Sequence, residues 1–104
     1  DETKITISAN NVKELEISLS GNESISVTKG NYNEKGIIVK YDDKNVTLLS
    51  DITYTLNNTT YKSKSELEDE INRLETDKEV EITYSATYNK ITKKITRKIK
   101  IIEG

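Results

Sequence analysis

Residues 79–101 read Glu79-Val-Glu-Ile-Thr-Tyr-Ser-Ala-Thr-Tyr-Asn-Lys-Ile-Thr-Lys-Lys-Ile-Thr-Arg-Lys-Ile-Lys-Ile101. Apolar side chains recur at every second position, Val80, Ile82, Tyr84, Ala86 and Tyr88, with Glu81, Thr83, Ser85 and Thr87 between them. After Asn89-Lys90 the alternation resumes with Ile91, Ile95, Ile99 and Ile101. Period two over two runs joined by a short polar pair predicts a β-hairpin. A two-residue loop at Asn89-Lys90 sets Tyr88 against Ile91. It then sets Tyr84 against Ile95, Val80 against Ile99, Glu81 against Lys98 and Glu79 against Lys100. Opposite charges line one face and apolar residues the other, and a slip of one residue would turn the apolar set into water. Lys93 and Arg97 are discordant. They fall on the buried parity and are expected to snorkel or to sit near an edge.

Upstream runs repeat the pattern at shorter length. Ile5 and Ile7 come first, then Leu15, Ile17 and Leu19, then Ile25 and Val27. Ile37, Val39 and Tyr41 form another run, which Asp42-Asp43 turns toward Val46 and Leu48. Ile52, Tyr54 and Leu56 follow, closed by Asn57-Asn58. The breaks at Ser20-Gly21-Asn22, Lys29-Gly30-Asn31 and Glu34-Lys35-Gly36 carry turn chemistry. Many short strands at close spacing predict an all-β sandwich or barrel. One segment differs. In Ser63–Thr76, Leu67, Ile71 and Leu74 recur at helical spacing, and both Ser63/Glu66 and Ser65/Glu68 match a capping box. A helix over about residues 64–75 is expected between strands, its apolar stripe over one end of the sandwich.

Composition sets the outer limits. A chain of 104 residues fits one domain. Only 33% of the residues are hydrophobic and the aromatics are six tyrosines, so the core must be thin and built from Ile, Leu and Val. Sixteen basic against 18 acidic residues give a net charge of −2, which argues against nucleic-acid binding. No run approaches the ~18 apolar residues of a membrane span, so no membrane insertion is expected. The first residue, Asp1, and the close of the chain just past the last strand give it the look of a piece of a longer protein. Usage rich in Lys, Asn and Ile fits AT-rich codons and hence a low-GC bacterium.

The hairpin strands and Tyr32-Asn33-Glu34-Lys35-Gly36 resemble a known family, the bacterial immunoglobulin-like domains repeated along Gram-positive surface proteins, including internalin-like adhesins. Ile82, Tyr84, Ala86, Arg97, Ile99 and Ile101 match the family's closing strands, and residues 32–36 its Tyr-x-Glu-x-Gly segment. Tyr88 stands where the family usually has Asp, and Asn89-Lys90 replaces a Gly-Asn turn. The resemblance implies an immunoglobulin-like antiparallel β-sandwich at a cell surface or in a cell wall, and implies no particular ligand.

Candidate chemistry is sparse. With neither His nor Cys the usual nucleophilic triads cannot be built, and no thiolate metal site exists. Asp42, Asp43, Asn45 and Asp51 offer oxygens for calcium, yet Asp and Asn are ordinary β-turn residues, and the turn is the favoured reading. Lys90, Lys93, Lys94, Arg97, Lys98 and Lys100 offer a basic strand for an anionic polymer, but the run divides between two faces and meets Glu79 and Glu81. The tyrosines could stack on sugars, although half-buried core positions with rim hydroxyls are the commoner use. No catalytic, cofactor or metal residue is therefore assigned. The expectation is a non-enzymatic module that works as a spacer or stalk in a secreted or surface protein. Its partners are neighbouring domains of the same chain, and it is monomeric in isolation. The alternatives are an adhesive module binding host protein or glycan, and an accessory domain of a secreted glycosidase or protease.

Overall fold

The computed structural model describes residues 14–103, so the expected strand at Ile5 and Ile7 lies outside the described residues. The elements are β1 (Leu15–Leu19), β2 (Ser24–Thr28), β3 (Ile37–Tyr41), β4 (Lys44–Asn45), a 3-10 turn (Thr47–Leu49), β5 (Asp51–Leu56), β6 (Thr59–Tyr61), α1 (Lys64–Asn72), β7 (Glu79–Tyr88) and β8 (Ile91–Ile102). They form two sheets. One has the order β1-β3-β4 and the other β2-β8-β7-β5-β6, with a single short α-helix among the described residues.

The β7–β8 hairpin has the register read from the sequence, with Tyr88 opposite Ile91, Tyr84 opposite Ile95, Glu81 opposite Lys98 and Glu79 opposite Lys100. Its turn is of the primed kind, with φ of 50° at Asn89 and 66° at Lys90. Such turns match the right-handed twist of the strands they join. Asp42-Asp43 (φ 53° and 63°) and Asn57-Asn58 (φ 50° and 70°) do the same for β3–β4 and β5–β6. Asp and Asn tolerate that left-handed backbone because their short side chains bond locally, whereas Lys90 has no such compensation. Replacing Lys90 by Gly should therefore raise stability by about 1 kcal/mol, read as a higher denaturation midpoint at unchanged slope.

The sheets face one another across a core of Leu15, Ile37 and Val39 from the small sheet and Tyr54, Leu56, Ile82, Tyr84, Ala86, Ile99 and Ile101 from the large one. Leu67 and Ile71 on one stripe of α1 are fully buried in the same cluster. At roughly 25 cal/mol per Å² of apolar area, each of these aliphatic side chains contributes about 2 kcal/mol through burial.

Four expectations need correction. The helix ends at Asn72, not near residue 75: the Arg73 N–H is shared between the Glu70 and Ile71 carbonyls, and Asp77 takes a left-handed φ of 72°. Only the Ser63/Glu66 cap forms, Ser63 Oγ accepting from Glu66 N at 3.2 Å; Glu68 bonds elsewhere. The run through Val46 and Leu48 is not a strand beyond Asn45. There the Thr47 hydroxyl accepts from Val39 N (2.9 Å) in place of a backbone carbonyl, and the chain winds into the 3-10 turn with Leu48 98% exposed. Arg97 neither snorkels nor sits at an edge. It is 1% exposed in the middle of β8, while Lys93 is exposed as its chemistry demands. Nor is the sandwich the fully antiparallel one expected: β2 runs parallel to β8, Ser24 beside Lys98 through Thr28 beside Ile102.

Candidate functional site

The chemistry-bearing side chains that the fold gathers lie inside it. Tyr32, Glu34 and Gly36 belong to the irregular stretch that leads into β3, where alternate residues point inward. Tyr32 is 3% and Glu34 8% exposed, an unusual depth for a carboxylate. The burial is tolerated because both oxygens of the carboxylate have donors. Tyr32 Oη donates to Oε1, while Tyr84 Oη (2.8 Å) and Gly36 N (2.6 Å) donate to Oε2. Buried polar groups persist only when so paired.

Arg97 completes the cluster from β8. Its Nη2 donates to the Ser20 carbonyl at 2.6 Å and, longer, to the Gly36 carbonyl at 3.4 Å. The guanidinium carbon lies 5.6 Å from the centre of the Tyr84 ring, within cation–π range. The Gly36 peptide thus stands between the two charged groups, its N–H toward Glu34 and its C=O toward Arg97. Arg97 Nε has no partner among the described residues.

The helix side of the cluster is fixed by backbone contacts. Glu34 N donates to Glu68 Oε2 at 2.7 Å, and Tyr32 N donates to Asn72 Oδ1 at 2.7 Å. These bonds fasten residues 32–34 to α1. Lys29 adds an outer strap, Nζ donating to the Leu74 carbonyl and Glu75 Oε2, each at 3.0 Å.

Burial, then the neighbouring Glu34, push the Tyr32 phenol far above its ordinary value. The same causes in the same order raise Tyr84, partly offset by Arg97, and burial followed by Glu34 raises Tyr54. Both effects disfavour a phenolate. Tyr32, Glu34, Tyr84 and Arg97 line none of the surface depressions, which the network reaches only at its margins through Ser20 and Asn72, and apart from Arg97 Nε their buried side-chain polar atoms are paired. Its chemistry is therefore that of a clasp joining α1, the stretch before β3, β7 and β8.

Gly36 is needed for that clasp by its backbone. Its φ is 78°, and a Cβ there would come within 2.9 Å of the Cε and Nζ of Lys64. The lysine end can swing aside, so conformational strain dominates. Gly36→Ala should cost about 1–2 kcal/mol in equilibrium unfolding.

The residues weighed in the sequence are dispersed. Asp42 and Asp43 occupy the β3–β4 turn, and Asn45 Oδ1 accepts from Thr47 N at 3.0 Å. Among the described residues no three His, Cys, Asp or Glu side chains gather as metal ligands do. The basic run is broken by the burial of Arg97, and Lys98 and Lys100 stand opposite Glu81 and Glu79. The tyrosines form no shared platform. Tyr32, Tyr54 and Tyr84 are buried, deeper than the half-buried positions expected, and the first and last turn their hydroxyls to Glu34. Tyr41 and Tyr88 meet at 5.2 Å beside the β7–β8 turn, where Asn89 Nδ2 donates to Tyr41 Oη. The sequence carried two signs of the cluster, Arg97 on the wrong parity and the Tyr-x-Glu-x-Gly spacing at residues 32–36. Neither named the partner of the other.

No family model and no curated protein matches this chain. Among solved structures, a lipoprotein of Bacteroides thetaiotaomicron is similar in fold, with a TM-score of 0.55 and 17% identity. The likeness covers 88% of this chain and 39% of the lipoprotein, so this chain spans well under half the length of its structural neighbour. Among the described residues no helix is long and apolar enough to cross a membrane.

Proposed function

We propose that this chain is an immunoglobulin-like, non-catalytic module that serves as a spacer within a longer bacterial cell-surface or secreted protein. The observation that carries this reading is the placement of the first and last described strands. Leu15 pairs with Tyr41, which packs on Tyr88 beside the turn that starts β8. Ile102 is at the other end of that 12-residue strand. The start of β1 and the end of β8 thus lie at opposite poles, separated by about 37 Å at the usual rise per residue. Modules joined in series through such poles add their lengths. The tying up of Glu34, Tyr84 and Arg97 inside the core supports the non-catalytic part. The likeness to part of a bacterial lipoprotein supports the surface or secreted setting.

Proteins carrying one, two and three copies joined end to end test it by small-angle scattering. The maximum dimension should grow by at least about 37 Å per copy. Copies that fold back into a globule, or turnover of a substrate by the single module, would refute the spacer.

A specific feature favours adhesion as the second reading. Leu48 (98% exposed) and Leu49 (73%) stand beside Ile38 on the outer side of the small sheet. Contiguous exposed apolar patches of this kind mark contact surfaces. Saturable binding to one component of a glycan and matrix-protein array, abolished by Leu48→Ser/Leu49→Ser, would establish that role in place of the spacer.

A further inference from the structure

The edges of the two sheets differ in how they are protected. β4 has two residues and β6 three, too short to template another strand, and β1 carries a charge at Glu16. β2 is five residues of Ser-Ile-Ser-Val-Thr, with neither charge nor proline, at the end of the large sheet among the described residues. Natural edges usually carry a lysine, a proline or a bulge against further pairing. β2 has none of these.

The phase of its free backbone groups can be fixed. Lys98 N donates to the Glu23 carbonyl (2.7 Å) and Lys29 N to the Ile102 carbonyl (3.0 Å). In a parallel ladder alternate residues face the partner, so Ile25 and Val27 turn their peptides to β8. Ser24, Ser26 and Thr28 turn theirs to the edge that no described strand covers. The Thr28 carbonyl already accepts from Asn31 N at 2.9 Å, with its second lone pair remaining.

We propose that this edge pairs with the β2 edge of a second copy of the chain, antiparallel and centred on Ser26, making one continuous sheet across a two-fold axis. In that register Ser26 faces Ser26 of the other copy, and Ser24 faces Thr28, so the outward-turned residues meet one another. Ile25 faces Val27 on the inner side. Both are only half buried here, unlike Ile99 and Ile101 beside them on β8, at 1% each. Just beyond the strand ends, Glu23 faces Lys29 of the other copy, and the symmetry repeats that pair. A register shifted by two residues loses the charge match, sets Ile25 against Lys29 or Val27 against Glu23, and keeps one central apolar pair in place of two. Lys29 keeps a donor to spare, since its ammonium has three and two are used within the chain. The monomer expected from composition gives way at high local concentration.

Sedimentation velocity over a concentration series tests this. The wild-type chain should pass from monomer to dimer as concentration rises. Ser26→Lys, which sets two ammonium groups against each other at the axis, should remain monomeric with its thermal midpoint unchanged. Glu23→Lys and Lys29→Glu should each weaken pairing by about tenfold, since like charges then face each other at both ends. An equimolar mixture of the two should regain the wild-type affinity as a heterodimer, a result that no loss of folding produces. Four results would overturn the proposal: a wild-type chain monomeric at every concentration, a dimer indifferent to Ser26→Lys, failure of the mixture to recover, or a dimer abolished instead by Leu48→Ser/Leu49→Ser.

Discussion

Glu34→Ala should lower folding stability by about 4 kcal/mol, the largest single-residue loss expected in this chain. Three donors, Tyr32 Oη, Tyr84 Oη and Gly36 N, would lose their acceptor together in a region water does not reach. Each orphaned neutral donor costs roughly 1–3 kcal/mol, less whatever the hydroxyls recover by turning to other acceptors. The Arg97 guanidinium would also remain buried without the carboxylate across the Gly36 peptide. For a domain of this size the thermal midpoint should fall by roughly 16–30 °C. Glu34→Gln provides the control. Its carbonyl can take the Oε2 position and accept from Gly36 N, while Tyr32 rotates to accept from the amide. It should therefore cost only about 1–2 kcal/mol, the difference between charged and neutral bonds. Equal losses in the two variants, or a loss within 0.5 kcal/mol for Ala as at ordinary surface sites, would contradict the clasp.

Above about pH 10 the chain should become steeply less stable while remaining insensitive to pH just below it. The tyrosines supply the sign. Tyr32 and Tyr84 hold their protons far more tightly folded than unfolded, because burial and Glu34 disfavour their phenolates. Once pH exceeds the ordinary tyrosine value near 10, the unfolded chain releases these protons and the folded chain does not. Stability contributed by the shift is whole below that value and drains as pH rises toward the folded one. Each group removes about 1.4 kcal/mol per pH unit, so the pair removes roughly 2.7. Urea midpoints measured at successive pH values would show the slope. Tyr32→Phe should reduce it by about 1.4 kcal/mol per pH unit.

The sequence announced those structures whose cause is local. The β7–β8 register followed from alternation and a two-residue turn, with all its partners within about two dozen positions. The Ser63 cap and the buried stripe of Leu67 and Ile71 followed from helical spacing for the same reason. The cluster around Glu34 did not, because its members come from residues 32–36, 84 and 97, and because two of the partners of Arg97 are backbone carbonyls. A carbonyl leaves no mark on a sequence. Parity placed Arg97 inward correctly, and the rule that charge seeks water then gave the wrong conclusion. Leu48 erred in the other direction: it follows Val46 at strand spacing, but a threonine hydroxyl ends the ladder one residue before it. The parallel placement of β2 beside β8 joins residues some seventy positions apart, beyond the reach of any periodicity.

That parallel pairing has a consequence for a chain pulled by its two ends. A tug along the long axis would draw the start of β2 toward one pole and the end of β8 toward the other, so the strands must slide lengthwise. β1 and β3 are oriented to slide likewise. Bonds loaded in shear share the tension and rupture together, whereas those at the mouth of a hairpin peel open singly. The first strands to feel the load are therefore the ones arranged to yield last.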